Sequence, residues 1–437
     1  MESIHLDKYY KILTNCEPIL VKGKVTKVVG LVVEGAGIKA AVGDICEIVA
    51  NNQKIEAEVI GFKENSLLLM PFGEMHGVLP GSEILHLEKR ATVRVSEKLL
   101  GRIINALGEP LDDKGPIPLT EEYYLYATPS NPLTRTRISA PMDVGIRAIN
   151  GLLTLGKGQR VGIFAGSGVG KTTLLGMMVK YAKADVKVIA LIGERGREVR
   201  DFVEKHIKDA LDKTVLIVAT SDQPPLLRMR GAFVATAIAE FFRDQGKDVL
   251  LIMDSLTRFA MAQRELGLSA GEPPTTKGYT PSVFAVLPKL LERAGSWEKG
   301  SITALYTVLV EADDMNDPIA DASRAILDGH IVLSRELARQ NQYPPIDVLS
   351  SISRVMVDVT DKEHLYLANR FRDTLATYKS AEDLINIGAY VKGSNPHIDQ
   401  ALHLIDKIKA YLKQDIDREV SLEKSLTQLK EIFHENI

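Results

Sequence analysis

Residues 165–172 read Ala-Gly-Ser-Gly-Val-Gly-Lys-Thr, directly after the apolar run Arg160–Phe164. A strand, a glycine-rich turn and a helix opening on Lys-Thr form the arrangement that cradles the phosphates of a nucleoside triphosphate. Gly166, Gly168 and Gly170 let the backbone N–H groups of the loop, with those of Ser167 and Val169, point at phosphate oxygens with no Cβ in the way. The following helix, Thr172 to about Tyr181, adds the positive end of its dipole. Lys171 reaches the β- and γ-phosphates and the Thr172 hydroxyl is a ligand for Mg²⁺; Thr173, next in that first turn, is counted with the binding residues. The strict pattern begins on Gly, and this chain has Ala165 there, which is small enough to cost little. The competing reading is a glycine-rich turn that merely joins strand to helix.

Two carboxylates fit the same chemistry. The apolar strand Val249–Met253 ends in Asp254, placed to hold Mg²⁺ through water opposite Thr172. An Asp that caps the next helix is the alternative. The strand Val188–Ile192 runs into Gly193-Glu194-Arg195-Gly196-Arg197-Glu198, which sets Glu194 at the C-terminal edge of a sheet, beside the phosphate loop. A carboxylate there orients a water in line with the γ-phosphate, and Arg195 helps to neutralise phosphate charge. The bland reading of Glu194 is an ion pair between neighbours in a charged loop.

The elements that must position these groups fall into three patterns over 437 residues, a length that allows two or three domains and a large core. After an N-terminal tail (1–19), residues 20–92 read as a small β-barrel: Ile55, Ala57 and Val59 alternate with Lys54, Glu56 and Glu58, and Val25–Val33, Asp44–Val49 and Ser66–Met70 look like further strands between glycine turns. Residues 93–355 comprise a turn-rich connector and an α/β nucleotide-binding domain. Its apolar strands, Val161–Phe164, Val186–Ile192, Thr214–Ala219, Val249–Met253, Thr303–Val310 and His330–Leu333, alternate with helical segments such as Arg197–Leu211 and Pro225–Gln245, so the sheet is expected to be mostly parallel and covered on both faces. Residues 356–437 read as a helical domain, with Leu402, Ile405, Ile408 and Leu412, then Leu422, Leu426, Leu429 and Phe433, at spacings of three and four. The tail carries Ile4, Tyr9, Tyr10, Ile12 and Leu13, as either a docking helix or a frayed terminus.

A net charge of −3 gives no global pull towards nucleic acid or an anionic membrane. Cys16 and Cys46 lack metal-ligand spacing and suit a reduced, cytosolic setting, and the nine histidines form no metal-binding pattern. No apolar run reaches spanning length, and the N-terminus has no basic-then-apolar signal pattern.

The chain resembles the catalytic subunits of rotary ATPases and their relatives over about residues 20–435, with Gly193-Glu194-Arg195 fitting the catalytic-carboxylate loop and Pro344–Ser353 the superfamily signature. Within that superfamily it is most similar to the flagellar type III export ATPases, on Asp254–Glu265, Gly271–Tyr279, Asp313–Pro318 and Ile326–Arg335. The fold this implies is an N-terminal β-barrel, a central RecA-like P-loop α/β domain and a C-terminal helical domain. It also implies ATP and Mg²⁺, and a cytoplasmic homohexamer peripherally associated with the inner face of the membrane at the flagellar base. Sites would lie between subunits, with Lys171, Thr172, Glu194 and Asp254 of one facing Arg354 of the next, and with Tyr343 stacking on adenine. Nothing in the local chemistry of Arg354 singles it out, and Tyr343 without the resemblance is equally a core aromatic near the Pro-Pro turn. The implied partners are a peripheral-stalk regulator bound by the N-terminal tail, a central coiled-coil stalk, an export gate in the membrane and chaperone–substrate complexes met by the C-terminal helices.

Four other readings compete. The catalytic subunit of a rotary ATP synthase fits the Glu265–Tyr279 segment and the helical end less well, and an injectisome secretion ATPase differs by few residues, with Leu256 and Met261 leaning to the flagellar side. A hexameric RNA translocase needs a nucleic-acid face, but residues 20–92 hold only the aromatics Phe62 and Phe72 and no basic stripe, so no nucleic-acid partner is expected. A ring subunit that binds nucleotide without hydrolysis conflicts with the presence of Glu194.

Overall fold

A computed structural model describes Tyr10 and residues 21–51, 53–310 and 314–434, so the expectations for the N-terminal tail, for Cys16 and for Asp313 lie outside the described residues. These residues form two compact units, one running to Ala91 with Ser269–Gly271, the other comprising Thr92–Leu268 and Glu272 onward. No helix among them is long and apolar enough to cross a membrane.

The first unit is a closed six-stranded barrel of β1 (Lys22–Val29), β2 (Val32–Ala36), β3 (Asp44–Ala50), β4 (Gln53–Lys63), β5 (Ser66–Pro71) and β6 (Glu83–Arg90). All its pairs are antiparallel, and the order β1-β2-β5-β4-β3-β6 returns to β1. The alternation read in the sequence places Val25, Val33, Ile48, Ala57, Val59 and Leu69 inside. The stretch Val25–Val33 is not one strand. Gly30, at φ 58°, turns the chain between β1 and β2, and Val29 pairs directly with Val32.

The second unit is built on a sheet whose main path holds β7 (Ile103–Asn105), β8 (Arg160–Ala165), β9 (Val186–Glu194), β10 (Thr214–Thr220), β11 (Asp248–Asp254), β12 (Ser301–Leu309), β13 (Gly329–Leu333) and β14 (Ile346–Ser353). The order is β14-β13-β8-β12-β11-β9-β10-β7, parallel from β13 to β7, with β14 antiparallel on one edge. The central strands are buried nearly end to end, which is why they read as unbroken apolar runs. The two outer strands are the ones the sequence pattern missed. Ile103–Asn105 is only three residues long and sits within the expected connector, and Ile346–Ser353 mixes buried with exposed positions.

Seven helices matter to the site and its supports: α1 (Arg147–Leu152), α2 (Lys171–Tyr181), α3 (Gly196–Phe202), α4 (Pro225–Asp244), α5 (Lys362–Asn386), α6 (Pro396–Leu412) and α7 (Leu422–His434). The expected helix Arg197–Leu211 is not a single α-helix. It passes after Phe202 into a π-turn (Val203–Ile207) and then a 3-10 segment. That turn brings His206 against Gly176 of α2, where a Cβ would stand 2.2 Å from the ring Nδ1. Leu404, Ile405, Ile408 and Leu412 of α6 and Leu429 and Phe433 of α7 share one hydrophobic core with α1 and α2, and α5, α6 and α7 pack directly on α1.

Candidate active site

Because β8, β9 and β11 belong to one parallel set, their C-terminal ends come out on the same edge of the sheet. The loop Gly166–Gly170 leaves the end of β8, and α2 begins at Lys171. Gly168 stands at φ 75° and Gly170 at φ 114°; a Cβ would meet nothing at the first and only ordinary contacts at the second. Glycine is therefore required there by backbone conformation rather than by space. Val169 turns its side chain into the core and leaves its N–H for a ligand, while Ser167 and Thr172 are exposed and Thr173 is half-buried. Ala165 is buried in extended backbone, where its methyl group is accommodated.

A pocket of about 450 Å³ opens at this edge, walled by the loop together with Lys171, Thr172, Glu194, Arg195 and Arg258. Lys171 Nζ lies 2.5 Å from Asp254 Oδ1 and 3.6 Å from Glu194 Oε1. Burial works against its charge, but the two carboxylates outweigh burial and hold the ammonium above its ordinary pKa. The Thr307 hydroxyl donates to the same Asp254 Oδ1 at 2.6 Å. Both bonds fall on one oxygen, so the other retains acceptor capacity for a cation or its water, and the pair Thr172–Asp254 is a hard-oxygen donor set that suits Mg²⁺ shared with substrate phosphates. The capping alternative for Asp254 is not what its side chain does.

The Glu194 carboxyl is pushed up to about 7, first by burial and then by the negative charge of Asp254; Lys171 opposes the rise and Glu198 adds to it. A carboxyl poised near neutrality suits a group that must accept a hydrogen bond from water at physiological pH. The neighbour ion pair expected as the bland alternative does form, but between Arg195 and Glu198, at 3.8 Å; Glu194 faces Lys171 instead.

Arg258 is a pocket residue that sequence reasoning gave no role. Its Nε is buried without a hydrogen-bond partner among the described residues, on a side chain that lines the pocket. Gly193, at φ 70°, makes the approach possible, since a Cβ there would come within 3.0 Å of the Arg258 side chain. The available signal was spacing: Arg258 stands one helical turn beyond Asp254 on the helix Leu256–Ser269.

The remaining two residues lie outside this pocket. Tyr343, 44 % exposed, lines a separate cleft of about 550 Å³ with Asn341 and the stretch Lys413–Arg418. Pro345, two residues on, packs 3.7 Å from the position of a Gly170 Cβ, which ties this cleft to the phosphate loop. Arg354 is elsewhere. Its N–H bonds Asp328 O, and the Asp328 N–H bonds Arg160 O, so it is level with the start of β8 rather than its end. Arg160 and Ala165 are five residues apart on that strand, or roughly 17 Å at about 3.3 Å per residue. No arginine side chain spans that gap, so Arg354 cannot serve the phosphate loop of its own chain.

Three family models match. The ATP synthase alpha/beta family nucleotide-binding domain covers residues 145–353, the beta-barrel domain of the same family covers 25–88, and the T3SS EscN ATPase C-terminal domain covers 360–431. A flagellum-specific ATP synthase from Bacillus subtilis (strain 168) is 54 % identical over 93 % of this chain and 94 % of its own. The assembled ATPase EscN of the enteropathogenic E. coli type III secretion system superposes with a TM-score of 0.90 at 48 % identity, over 94 % of this chain and 99 % of that one. EscN in complex with its central stalk EscO gives a TM-score of 0.87 at 47 % identity, with the same coverage. The phosphate loop, the two carboxylates at the sheet edge, the barrel and the helical end thus agree with these likenesses, and the chain belongs to the ATP synthase alpha/beta family, as an ATPase of its flagellar and type III secretion branch.

Proposed function

We propose that a ring of six copies of this chain hydrolyses ATP at a flagellar type III protein export apparatus, and that the cycle drives release and unfolding of exported flagellar proteins from their chaperones. The observation that carries this reading is the division of the chemistry: Lys171, Glu194 and Asp254 meet at one end of the sheet, and Arg354 lies exposed at the level of the other. One polypeptide holds both halves, so every interface in a ring of identical subunits can form a complete site.

The loop N–H groups and Lys171 bind the phosphates, with Arg195 and Arg258 adding positive charge at the wall. Thr172 and Asp254 would hold Mg²⁺, which when bound supplies charge neutralisation on the β- and γ-phosphate oxygens. Glu194 accepts a hydrogen bond from the attacking water and aligns it with the γ-phosphorus. Arg354 of the neighbouring subunit neutralises the charge that develops on the transferring phosphoryl group, and the Tyr343 ring stacks on adenine in its own cleft.

The flagellar setting is supported by the likeness to flagellum-specific relatives. The match of residues 360–431 to the EscN C-terminal domain favours an injectisome ATPase as the second reading. The complex of assembled EscN with its central stalk EscO supports a coiled-coil stalk partner in the ring of this chain. The further partners in this reading are a peripheral-stalk regulator, an export gate protein and chaperone–substrate complexes, with the ring in the cytoplasm against the inner membrane face at the flagellar base.

The test is Glu194→Gln. The variant binds ATP as the parent does but turns it over at least about a hundredfold more slowly, the scale of a lost acid–base contribution. Turnover that survives would reduce Glu194 to an ion-pair partner of Lys171. In cells, replacing the gene with this variant stops filament assembly; intact filaments with lost needle secretion would move the assignment to the injectisome.

A further inference from the structure

The Tyr343 cleft is made by two distant parts of the chain, the turn after the helix Arg335–Arg339 and the stretch Lys413–Arg418 that links α6 to α7. One residue, Gln414, fixes the second part twice: its main-chain N–H joins it to the first part, and its buried side-chain amide anchors it to the entry of α1. The Gln414 N–H donates to the Tyr343 carbonyl at 2.8 Å. Its side-chain Oε1 accepts the backbone N–H of Arg147 at 2.7 Å. Its Nε2 gives one hydrogen to Gly145 O at 2.8 Å and the other to Arg418 O at 2.7 Å. Both amide hydrogens are thus used, on a residue only 7 % exposed. No partner of Gln414 is a free surface group; each is backbone of the cleft or of the entry to α1.

Arg147 reinforces the same joint. Its Nε donates to Tyr411 O at 2.6 Å, its terminal nitrogens to Gln428 Oε1 at 2.9 Å and Ala410 O at 2.8 Å, and also to Lys413 O, and the guanidinium lies over the Tyr411 ring. On the far side of the linking stretch, the Tyr181 hydroxyl at the end of α2 donates to Ile416 O at 2.9 Å. The wall opposite Tyr343 is therefore irregular backbone held in place by side chains from the nucleotide-binding core, with Gln414 at the only point where it is bonded to the Tyr343 backbone among the described hydrogen bonds.

We infer that Gln414 is a positioning residue for the nucleobase: it sets the width of the cleft between Tyr343 and the Lys413–Arg418 backbone, and so controls affinity for the base without acting on the phosphates. This rests on the reading of Tyr343 as the adenine contact. The consequence is a separation of effects. Loosening the joint widens the base cleft, while the phosphate pocket, built on β8, β9 and β11, keeps its own contacts.

The experiment compares ATP with inorganic tripolyphosphate, both with Mg²⁺, by isothermal titration on the full chain. Gln414→Ala weakens ATP about tenfold, the scale of losing the hydrogen bonds that hold one wall, and leaves tripolyphosphate affinity within about twofold of the parent. Gln414→Glu keeps the volume and the bond from the Arg147 N–H but sets a carboxylate oxygen against the carbonyls of Gly145 and Arg418; it gives the same split and is the variant to read if the alanine form does not fold. A purely structural role would lower both ligands together, and that result, or no change in either, overturns the inference. Tyr343→Ala is the control for the underlying reading: it also weakens ATP alone. If Tyr343→Ala leaves ATP unchanged, the base assignment fails; if it weakens ATP while both Gln414 variants do not, only the positioning role fails.

Discussion

Arg354 offers the sharpest test, because its position excludes one of two possibilities outright. Removing it with Arg354→Ala takes away the charge on the transferring phosphoryl group, and turnover falls by about a thousandfold or more. Lys171→Ala is equally silent for a different reason, since the phosphates lose their cation and Asp254 and Glu194 are left facing each other uncompensated. The roughly 17 Å between the level of Arg354 and the end of β8 means the two lesions strike different sites of a ring, not the same one. In an equal, random mixture, an interface is intact when an Arg354→Ala subunit supplies the loop and a Lys171→Ala subunit supplies the arginine. That combination occurs at about one interface in four, so the mixture regains up to about a quarter of parental activity if sites act independently. The assay is steady-state phosphate release at fixed total protein across mixing ratios, with mixed rings verified by differential tags and pull-down. A curve that stays flat at the level of either variant, with mixed rings present, would refute catalysis across the interface.

Two more predictions follow from the site and its supports. The pKa of Glu194, near 7, places an acid limb on kcat/KM, which falls as pH drops below about 7 because the protonated carboxyl no longer accepts from water; Glu198→Gln removes a neighbour that raises this pKa and moves the limb to lower pH, read from pH–rate profiles of the two proteins. Gly176→Ala drives a methyl group to 2.2 Å from His206 Nδ1, and although alanine favours the helix, the net outcome is a loss of about 1–2 kcal/mol, seen as an earlier denaturant midpoint.

The parts of this site that could be read from sequence are those whose signal is local. The phosphate loop, Glu194 and Asp254 each follow an apolar run that could only be a buried parallel strand, so chain direction alone put them on one edge. Arg354 and Tyr343 have no such local marker, and only the family likeness pointed to them. Arg258 and Gln414 escaped altogether. The first depends on Gly193 letting two segments come close, the second on bonds to residues 145 and 147, far away in the chain. The misreadings of fold have equally concrete causes: Gly30 breaks a run that looks continuous, a π-turn forms where His206 meets a glycine, and the strands on the sheet margin are too short or too mixed in polarity to stand out.

The closure of the N-terminal barrel has a consequence for how copies of this protein can touch. Among the described residues each of its six strands has a neighbour on either side, so the module has no edge strand, although β1 and β6 pair only over residues 22–24 and 83–85. Barrels crowded together have no edge strand to offer one another for backbone pairing. What they present to one another includes side chains such as the exposed Val28, Val29 and Leu31 around the first hairpin. Contacts of that kind come apart as well as form, which keeps an assembly able to dissolve and rebuild instead of hardening into a fibre.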